Sequence, residues 1–456
     1  MQHISIRNFG KIKDADVFLN GLTLIAGPND TGKSTVGKLL FSIVQSIANY
    51  KQCYNSLKMD FVSKEFLDPM KYEMRVGSRL DEIHYVNRNR SGRLYSKNDD
   101  YDDILKRLSI AVSLGRDTND PMKVLKELKT LQEQSCKSKL FEGKRIYTLL
   151  RAAIHFLRQK TTDKNQFETV FARICDDVFH DNLNNSYHRN DRAYIDYKIN
   201  EESVLKVSLI EDRIVCNSIK NNFAFSGATF IDSADSLEER VVSRPIGFSD
   251  RLSDLDFSIK IDLKKKKDVA ARRFRQENFY TEITNFIQTI LGKASFKYDE
   301  DERVIKYKVR RTAKSLDILN IASGSKIFGL LYILLKSGIL QKDELLIFDE
   351  PENHLHPSWQ IMFAELLVKM VKDGFNILLT SHSPYFIQAI KVYSEKYNIL
   401  DNKVNFYAAR KIDNMNYAKL VNIRDPFGNL RDELIFEGLY EPFRTMEKVR
   451  KSILRK

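Results

Sequence analysis

Cysteine is scarce in this 456-residue chain: Cys53, Cys136, Cys175 and Cys216 are scattered, with no C-x-x-C pair. That scatter excludes a disulfide framework and a four-ligand zinc site, and it suits a reducing compartment, so a cytoplasmic protein is expected. Long apolar runs are missing too. The most apolar stretch, Ile327 to Leu340, is broken by Lys336, Ser337 and Gly338 and falls short of the ~20 residues a membrane span needs. The N-terminus, Met1-Gln2-His3-Ile4-Ser5-Ile6, alternates in polarity and has no signal-peptide core. Neither secretion nor a membrane segment is expected. Internal repeats and low-complexity tracts are absent as well.

What is present points to a folded, basic protein. Apolar residues make up 43% and charged residues 30%, which fits a sizeable core with a solvated surface. At roughly 100–200 residues per domain, two or three units are expected. The net charge is +13, with crowding at Lys264-Lys265-Lys266-Lys267, Arg272-Arg273 and Arg310-Arg311. Such an excess favours polyanions, whether nucleotide, nucleic acid or an acidic partner. A solvated face of an ordinary basic protein would look the same, because no aromatic residues interleave these runs.

Periodicity predicts strands at Ile4 to Phe9 and Asp16 to Leu19, pairing back on each other, then a short buried strand, Leu22 to Ala26. Apolar residues at Val36, Leu39, Leu40, Ile43, Val44 and Ile47 form a helical stripe. From about Tyr50 to Tyr194 glycine thins out and helical stripes dominate. Tyr147, Leu150, Ala153, Ile154 and Leu157 form one such stripe. Strands return at Tyr194 to Ile199, Val204 to Leu209 and Gly227 to Asp232. A charged helix from about Lys264 to Leu291 and a hairpin across Asp299 to Glu302 follow. The last third alternates: a helix over Ser325 to Leu340, the strand Leu345 to Phe348, a helix over Trp359 to Lys372, the strand Asn376 to Thr380, a helix over Pro384 to Tyr393, and the strand Val404 to Tyr407 as its close. That spacing implies an α/β fold with a mostly parallel sheet.

Four motifs carry chemistry. Gly27-Pro28-Asn29-Asp30-Thr31-Gly32-Lys33-Ser34 is G-x-x-x-x-G-K-S between a strand and a helix. Its backbone N–H groups can wrap a phosphate, Lys33 can reach the β and γ phosphates, and the Ser34 hydroxyl can ligate Mg²⁺. Leu345 to Phe348 delivers Asp349 and Glu350 to a strand's C-terminal edge, where ligands sit in open α/β sheets. Asp349 would serve Mg²⁺, and Glu350 would orient and activate the attacking water. Thr380-Ser381-His382-Ser383 follows another apolar strand, and its histidine could meet a γ-phosphate or that water. Ala322-Ser323-Gly324-Ser325-Lys326 precedes an apolar helix; it could be an anion-binding N-terminus or an ordinary cap.

In this order the four motifs resemble the ABC-type ATPase heads of the structural-maintenance-of-chromosomes (SMC) and RecF superfamily. The resemblance implies an ABC-type head, with a mixed β lobe, a mostly parallel sheet and a helical insertion. ATP and Mg²⁺ are the implied cofactors. Gly27, Asn29, Gly32, Lys33, Ser34 and Thr35 would hold the nucleotide, and Ser34 and Asp349 the metal. Glu350, His382 and Lys33 would be catalytic. Ser323 and Gly324 would cover the γ-phosphate of a second copy, so an ATP-dependent homodimer or larger oligomer is implied. Pro351 to His356 would be the D-loop, which accounts for His354 and His356 without a metal. Asp30 and Ser325 depart from the pattern, each standing where a glycine is common.

The implied division is 1–50 and 195–430 for the head, 51–194 for the insertion and 431–456 for a basic helical tail. The insertion is too short for long coiled-coil arms, since 300 Å would take ~200 residues each way at 1.5 Å per residue. Glu350-Pro351-Glu352-Asn353-His354-Leu355-His356-Pro357 is especially similar to armless bacterial antiphage ATPases of the Septu, retron-associated, PARIS and Gabija types. Residues 435–443 resemble that group too. No H-N-H pattern is present and the roughly 70 residues after the histidine motif hold no D-x-D pair, so no fused nuclease is expected and a separate effector nuclease is the implied partner. Direct action on nucleic acid, as in repair ATPases, and an ATP-sensing scaffold with little turnover stay open beside it.

Overall fold

The computed structural model describes residues 2–70, 120–138, 145–179, 192–210, 213–220, 224–231, 278–292, 295–299, 304–308, 316–317, 323–336, 340–412, 417–425 and 429–431, with a few isolated residues besides. The chain forms two compact units. One is built from Met1–Ala48, Phe171–Ser243 and Ser249–Lys456, the other from Asn49–Val170 and Arg244–Phe248.

The first unit is organised on one 11-stranded sheet. Strands β1 (Gln2–Phe9) and β2 (Ile12–Leu19) form the expected hairpin, with Ile4 opposite Val17 and Ile6 opposite Ala15. Asn8 has φ 54°, a left-handed turn that an Asn tolerates, and beyond it Phe9 is buried rather than exposed. Strands β4 (Ala193–Ile199), β5 (Glu202–Ile210) and β6 (Arg213–Ile219) extend this antiparallel half from β1 outward. The other half is parallel: β3 (Leu22–Ala26), β7 (Gly227–Ile231), β11 (Glu344–Asp349), β12 (Asn376–Ser381) and β13 (Val404–Lys411) run in the order β13-β3-β12-β11-β7. All five residues of β3, Thr23 included, are buried, as expected of a nearly all-apolar central strand.

The strand at Val404 does not close the sheet. A further strand, β14 (Ala418–Asn422), pairs antiparallel with β13 and parallel with β2. It joins the two halves and leaves β13 in the interior, with β6 and β7 at the edges. The sheet is therefore mixed, with the expected parallel half around β3 and an antiparallel lobe beyond β14, in an α/β fold.

Helices cover both faces of the parallel half. The long helix α1 (Lys33–Val62) sets its predicted stripe on one face: Val36, Leu39, Leu40 and Ile43 are fully buried. A Cβ on Gly37 would lie 3.4 Å from both Ile347 and Phe230, so this helix approaches the sheet closely. On the opposite face α5 (Asn278–Ile290), α6 (Ser323–Lys336), α7 (Pro357–Lys372) and α8 (Pro384–Lys396) share one core with Leu24, Phe348, Leu379 and Phe406. Phe363 sits at its centre, edge-on to Phe328 and Phe348, a geometry aromatic rings favour. The hairpin β8 (Ser295–Asp299) and β9 (Val304–Lys308) forms with β10 (Leu316–Asp317) as a third strand.

The second unit is helical where it is described. Helices α2 (Pro121–Ser138), α3 (Arg145–Arg158) and α4 (Asp163–Phe179, whose last turns belong to the first unit) follow a π-helical turn at Ser63–Leu67. The predicted stripe of Leu150, Ala153, Ile154 and Leu157 packs with Val124, Leu128 and Met59 into a separate core. No described helix is long and apolar enough to cross a membrane. The basic run 264–267, most of the tail 431–456 and the segment 435–443, Leu439 aside, lie outside the described residues.

Candidate active site

The first unit brings three of the four motifs to one end of its parallel strands. β3 ends at Ala26, and Gly27 N–H donates to Ser381 O at 3.2 Å, tying the phosphate loop to the end of β12. A Cβ on Gly27 would fall 2.7 Å from the Ala409 carbonyl oxygen. Backbone cannot yield there, so Gly27→Ala is expected to lower stability by about 1–3 kcal/mol through overpacking. A thermal melt of the variant indistinguishable from wild type would refute this. Gly32 has φ 75° and opens α1 as its carbonyl accepts from Val36 N–H.

Asp30 resolves its own departure from the motif. It adopts φ 63°, a left-handed conformation that Asp tolerates better than most side chains, and its carboxylate pairs with Lys11. The lysine holds the Asp30 carboxyl below its ordinary range. Lys11 was not legible as part of the site, because it meets the loop only once the β1–β2 turn is folded. Asn29 is exposed at the loop's tip, Thr31 is buried with its hydroxyl donating to Pro28 O at 2.8 Å, and Thr35 is half-buried.

Lys33 is only 3% exposed. Its ammonium donates to Pro28 O at 2.8 Å and lies 3.2 Å from Glu350 Oε1. Ser34 Oγ donates to Asp349 Oδ1 at 3.0 Å, and Thr380 Oγ donates to the same oxygen. Burial raises the Asp349 pKa, against the hydroxyl bonds that lower it. A half-buried carboxylate beside a hydroxyl is a hard-oxygen pair of the kind Mg²⁺ takes alongside phosphate and water, so Ser34 and Asp349 fit that ion.

Glu350 turns the chain at φ 48°, held by its N–H to Thr380 O and Oγ. Its Oε2 lies 3.3 Å from His382 Nδ1, a charge contact poorly aligned for a hydrogen bond. With His382 on one side and Lys33 on the other, the Glu350 carboxyl is pulled down to about 2. The same contact raises the His382 pKa. Lys33, Ser34, Asp349, Glu350 and His382 thus form one connected polar cluster.

The fourth motif stands apart. Ser323 starts α6, two residues earlier than periodicity predicts, and a Cβ on Gly324 would lie 2.9 Å from Trp359 and 3.2 Å from Leu355. No described contact joins Gly324 to the phosphate loop. Ser325 is buried in the helix's first turn, so a glycine replaced by serine there turns its side chain inward. His356 is the N-cap of α7, its Nδ1 accepting from Ser358 N–H at 3.3 Å. Among the described residues no group of three or more His, Cys, Asp or Glu side chains could hold a metal ion.

The profile of the AAA ATPase domain family matches residues 1–387, which include the phosphate loop, Asp349, Glu350 and His382. The chain belongs to the AAA ATPase domain family. Among solved structures, this AAA ATPase is similar to an SMC head bound to the C-terminal winged-helix domain of ScpA, at 12% identity over 92% of this chain and 96% of that one, with a TM-score of 0.44. It is similar to the SMC head domain of Thermotoga maritima at 9% identity over 93% and 98%, TM-score 0.38. The Pyrococcus furiosus SMC head with an extended coiled coil, bound to the C-terminal domain of ScpA, matches at 12% identity over 99% and 100%, TM-score 0.38. No curated protein matches.

Proposed function

We propose that this AAA ATPase binds and hydrolyses Mg²⁺-ATP between two copies of itself and thereby gates a separate effector nuclease in bacterial antiphage defence. Residues 1–50 and 195–430 form its head, around a helical insertion at 51–194. The observation that supports hydrolysis is the convergence of Lys33, Glu350 and His382 at 3.2 and 3.3 Å beside the Ser34–Asp349 pair at 3.0 Å.

Each residue has a task that follows from its place. The N–H groups from Asn29 to Thr35, at the loop and the start of α1, bind phosphate. Lys33 neutralises the β and γ phosphates, and Ser34 and Asp349 hold the metal, which offsets phosphate charge when bound. Glu350 orients the attacking water. At a pKa of about 2 it is a poor base while Lys33 and His382 lean on it. A γ-phosphate competes for both cations, and as they turn to it the Glu350 carboxylate regains basicity. The water is therefore activated only when a nucleotide is bound.

Ser323 and Gly324 complete the site from the second copy, a role the motif order implies. The effector follows from the likeness of residues 350–357 to the antiphage ATPases. Light scattering of the Glu350→Gln variant is expected to show the mass of a dimer or larger assembly with Mg²⁺-ATP and a smaller mass with ADP; a nucleotide-independent mass counts against the paired site. Purification from the native operon is expected to retain a nuclease. The charge of +13 favours a second reading, direct action on nucleic acid, which predicts salt-steep DNA binding and DNA-stimulated turnover.

A further inference from the structure

Glu352 lies two residues past Glu350 in the turn leaving β11. It is 3% exposed, which is rare for a carboxylate, and its contact with His382 Nδ1, at 3.8 Å, is beyond hydrogen-bond reach. One oxygen, Oε1, accepts from Ser381 Oγ at 2.6 Å, His382 N–H at 3.0 Å and Ser383 N–H at 3.3 Å. The other, Oε2, is buried with no hydrogen-bond partner. Three consecutive residues of the turn that carries His382 therefore donate to a single atom. His382 Nδ1 lies 3.8 Å from that atom and 3.3 Å from Glu350 Oε2, so the ring stands between two carboxylates. A second tie runs beside it: Ser383 Oγ donates to Gln360 Oε1 at 2.6 Å, and Gln360 Nε2 donates to Leu355 O at 3.0 Å.

Burying an unpartnered carboxylate oxygen is costly. A neutral glutamine would offer the turn the same acceptor at lower cost. The structure instead sets a carboxyl beside the imidazole, its pKa raised by burial against the Ser381 and His382 donors that lower it.

We propose that Glu352 is a positioning residue of the hydrolytic site: it holds His382 in register with Glu350, while the Leu355–Gln360–Ser383 tie beside it links that register to the 353–356 loop. This rests on the proposed ATP hydrolysis. Asn353, His354 and His356 are exposed while Leu355 is buried, so whatever presses on the loop's outer side is transmitted to the histidine. Besides Glu352 the charged groups that act on His382 are Glu350, which favours its cation, and Lys33, which opposes it.

Glu352→Gln keeps the acceptor and removes the charge, while Glu352→Ala removes both. Loss of one charge-assisted contact corresponds to about 10- to 100-fold. We expect kcat to fall about tenfold in Glu352→Gln and about 100-fold in Glu352→Ala, with KM for Mg²⁺-ATP within about twofold of wild type in both. The NMR titration of His382 is expected to move to lower pH in Glu352→Gln, a shift that a purely structural anchor would not produce. Wild-type kcat in Glu352→Gln with an unmoved His382 titration would overturn the proposal, as would a KM that rises in step with the fall in kcat. If Glu352→Ala does not fold, the glutamine variant carries the test. If wild type binds ATP without turning it over, the hydrolysis reading fails, and the His382 titration then decides Glu352's role by itself.

Discussion

Glu350→Gln is expected to lower ATP turnover by about 10²–10⁴-fold, the usual contribution of a positioned general base, while leaving Mg²⁺-ATP binding within a few-fold of wild type. Glutamine fills the same space but cannot accept the water's proton. Lys33 Nζ, at 3.2 Å, then loses its carboxylate partner, and His382 Nδ1 loses the nearer of its two, at 3.3 Å, keeping Glu352 Oε1 at 3.8 Å. The pH dependence of stability changes in a defined direction. Glu350's folded pKa is depressed from 4.5 to about 2, so its contribution is present above pH 4.5 and is lost as pH falls toward 2. The His382 pKa is raised above 6.5, so its contribution is present below that pH and is lost as pH rises through the folded value. Removing the carboxylate removes the Glu350 contribution and part of that of His382, since Glu352 still favours the imidazolium, and melts between pH 3 and 9 are expected to show a flatter profile for the variant. Single-turnover hydrolysis equal to that of wild type would eliminate Glu350 as the base.

Lys33→Ala is expected to weaken nucleotide binding by at least about 100-fold, because two charge-assisted contacts to phosphate oxygens at about 1.5–3 kcal/mol each are lost. The side chain is 3% exposed and already anchored to Pro28 O, so little ordering entropy is spent on binding. Lys33→Arg is not expected to rescue affinity, since a planar five-donor fork does not fit a slot shaped for one ammonium. Titration calorimetry with Mg²⁺-ATP gives the answer directly. Affinity within threefold of wild type in Lys33→Ala would remove the phosphate loop from the account.

Much of the local structure was legible from periodicity. Leu22 to Ala26 reads as a buried strand because every residue is apolar or small, and the α1 stripe from Val36 to Ile47 reads as a helix because its apolar residues recur on one face. The phosphate loop, the acidic strand and the histidine each follow an apolar strand, and the fold sets all three on one sheet edge. β14 was not legible. Ala418 to Asn422 is too short to carry a pattern, and what makes it a strand is pairing with β2 and β13 from distant parts of the chain. Lys11 and Glu352 escaped for the same reason. Nothing within a few residues of Lys11 marks it as the partner of Asp30, and only the approach of the β12 turn makes Glu352 an acceptor for three donors.

The sequence by itself determined the chemistry available. A glycine loop, a lysine, two adjacent acids and a histidine stand in one order, each after an apolar run whose pattern reads as a strand. Tertiary structure decided how that chemistry is poised. Strand order placed Lys33 and His382 on either side of Glu350 and so set its basicity, turned Glu352 beneath the histidine, and kept Gly324 against Leu355 and Trp359 instead of the phosphate loop. Periodicity is a property of neighbours in the chain, whereas a pKa is set by charges and burial in space, and those exist only after β3, β11 and β12 have paired.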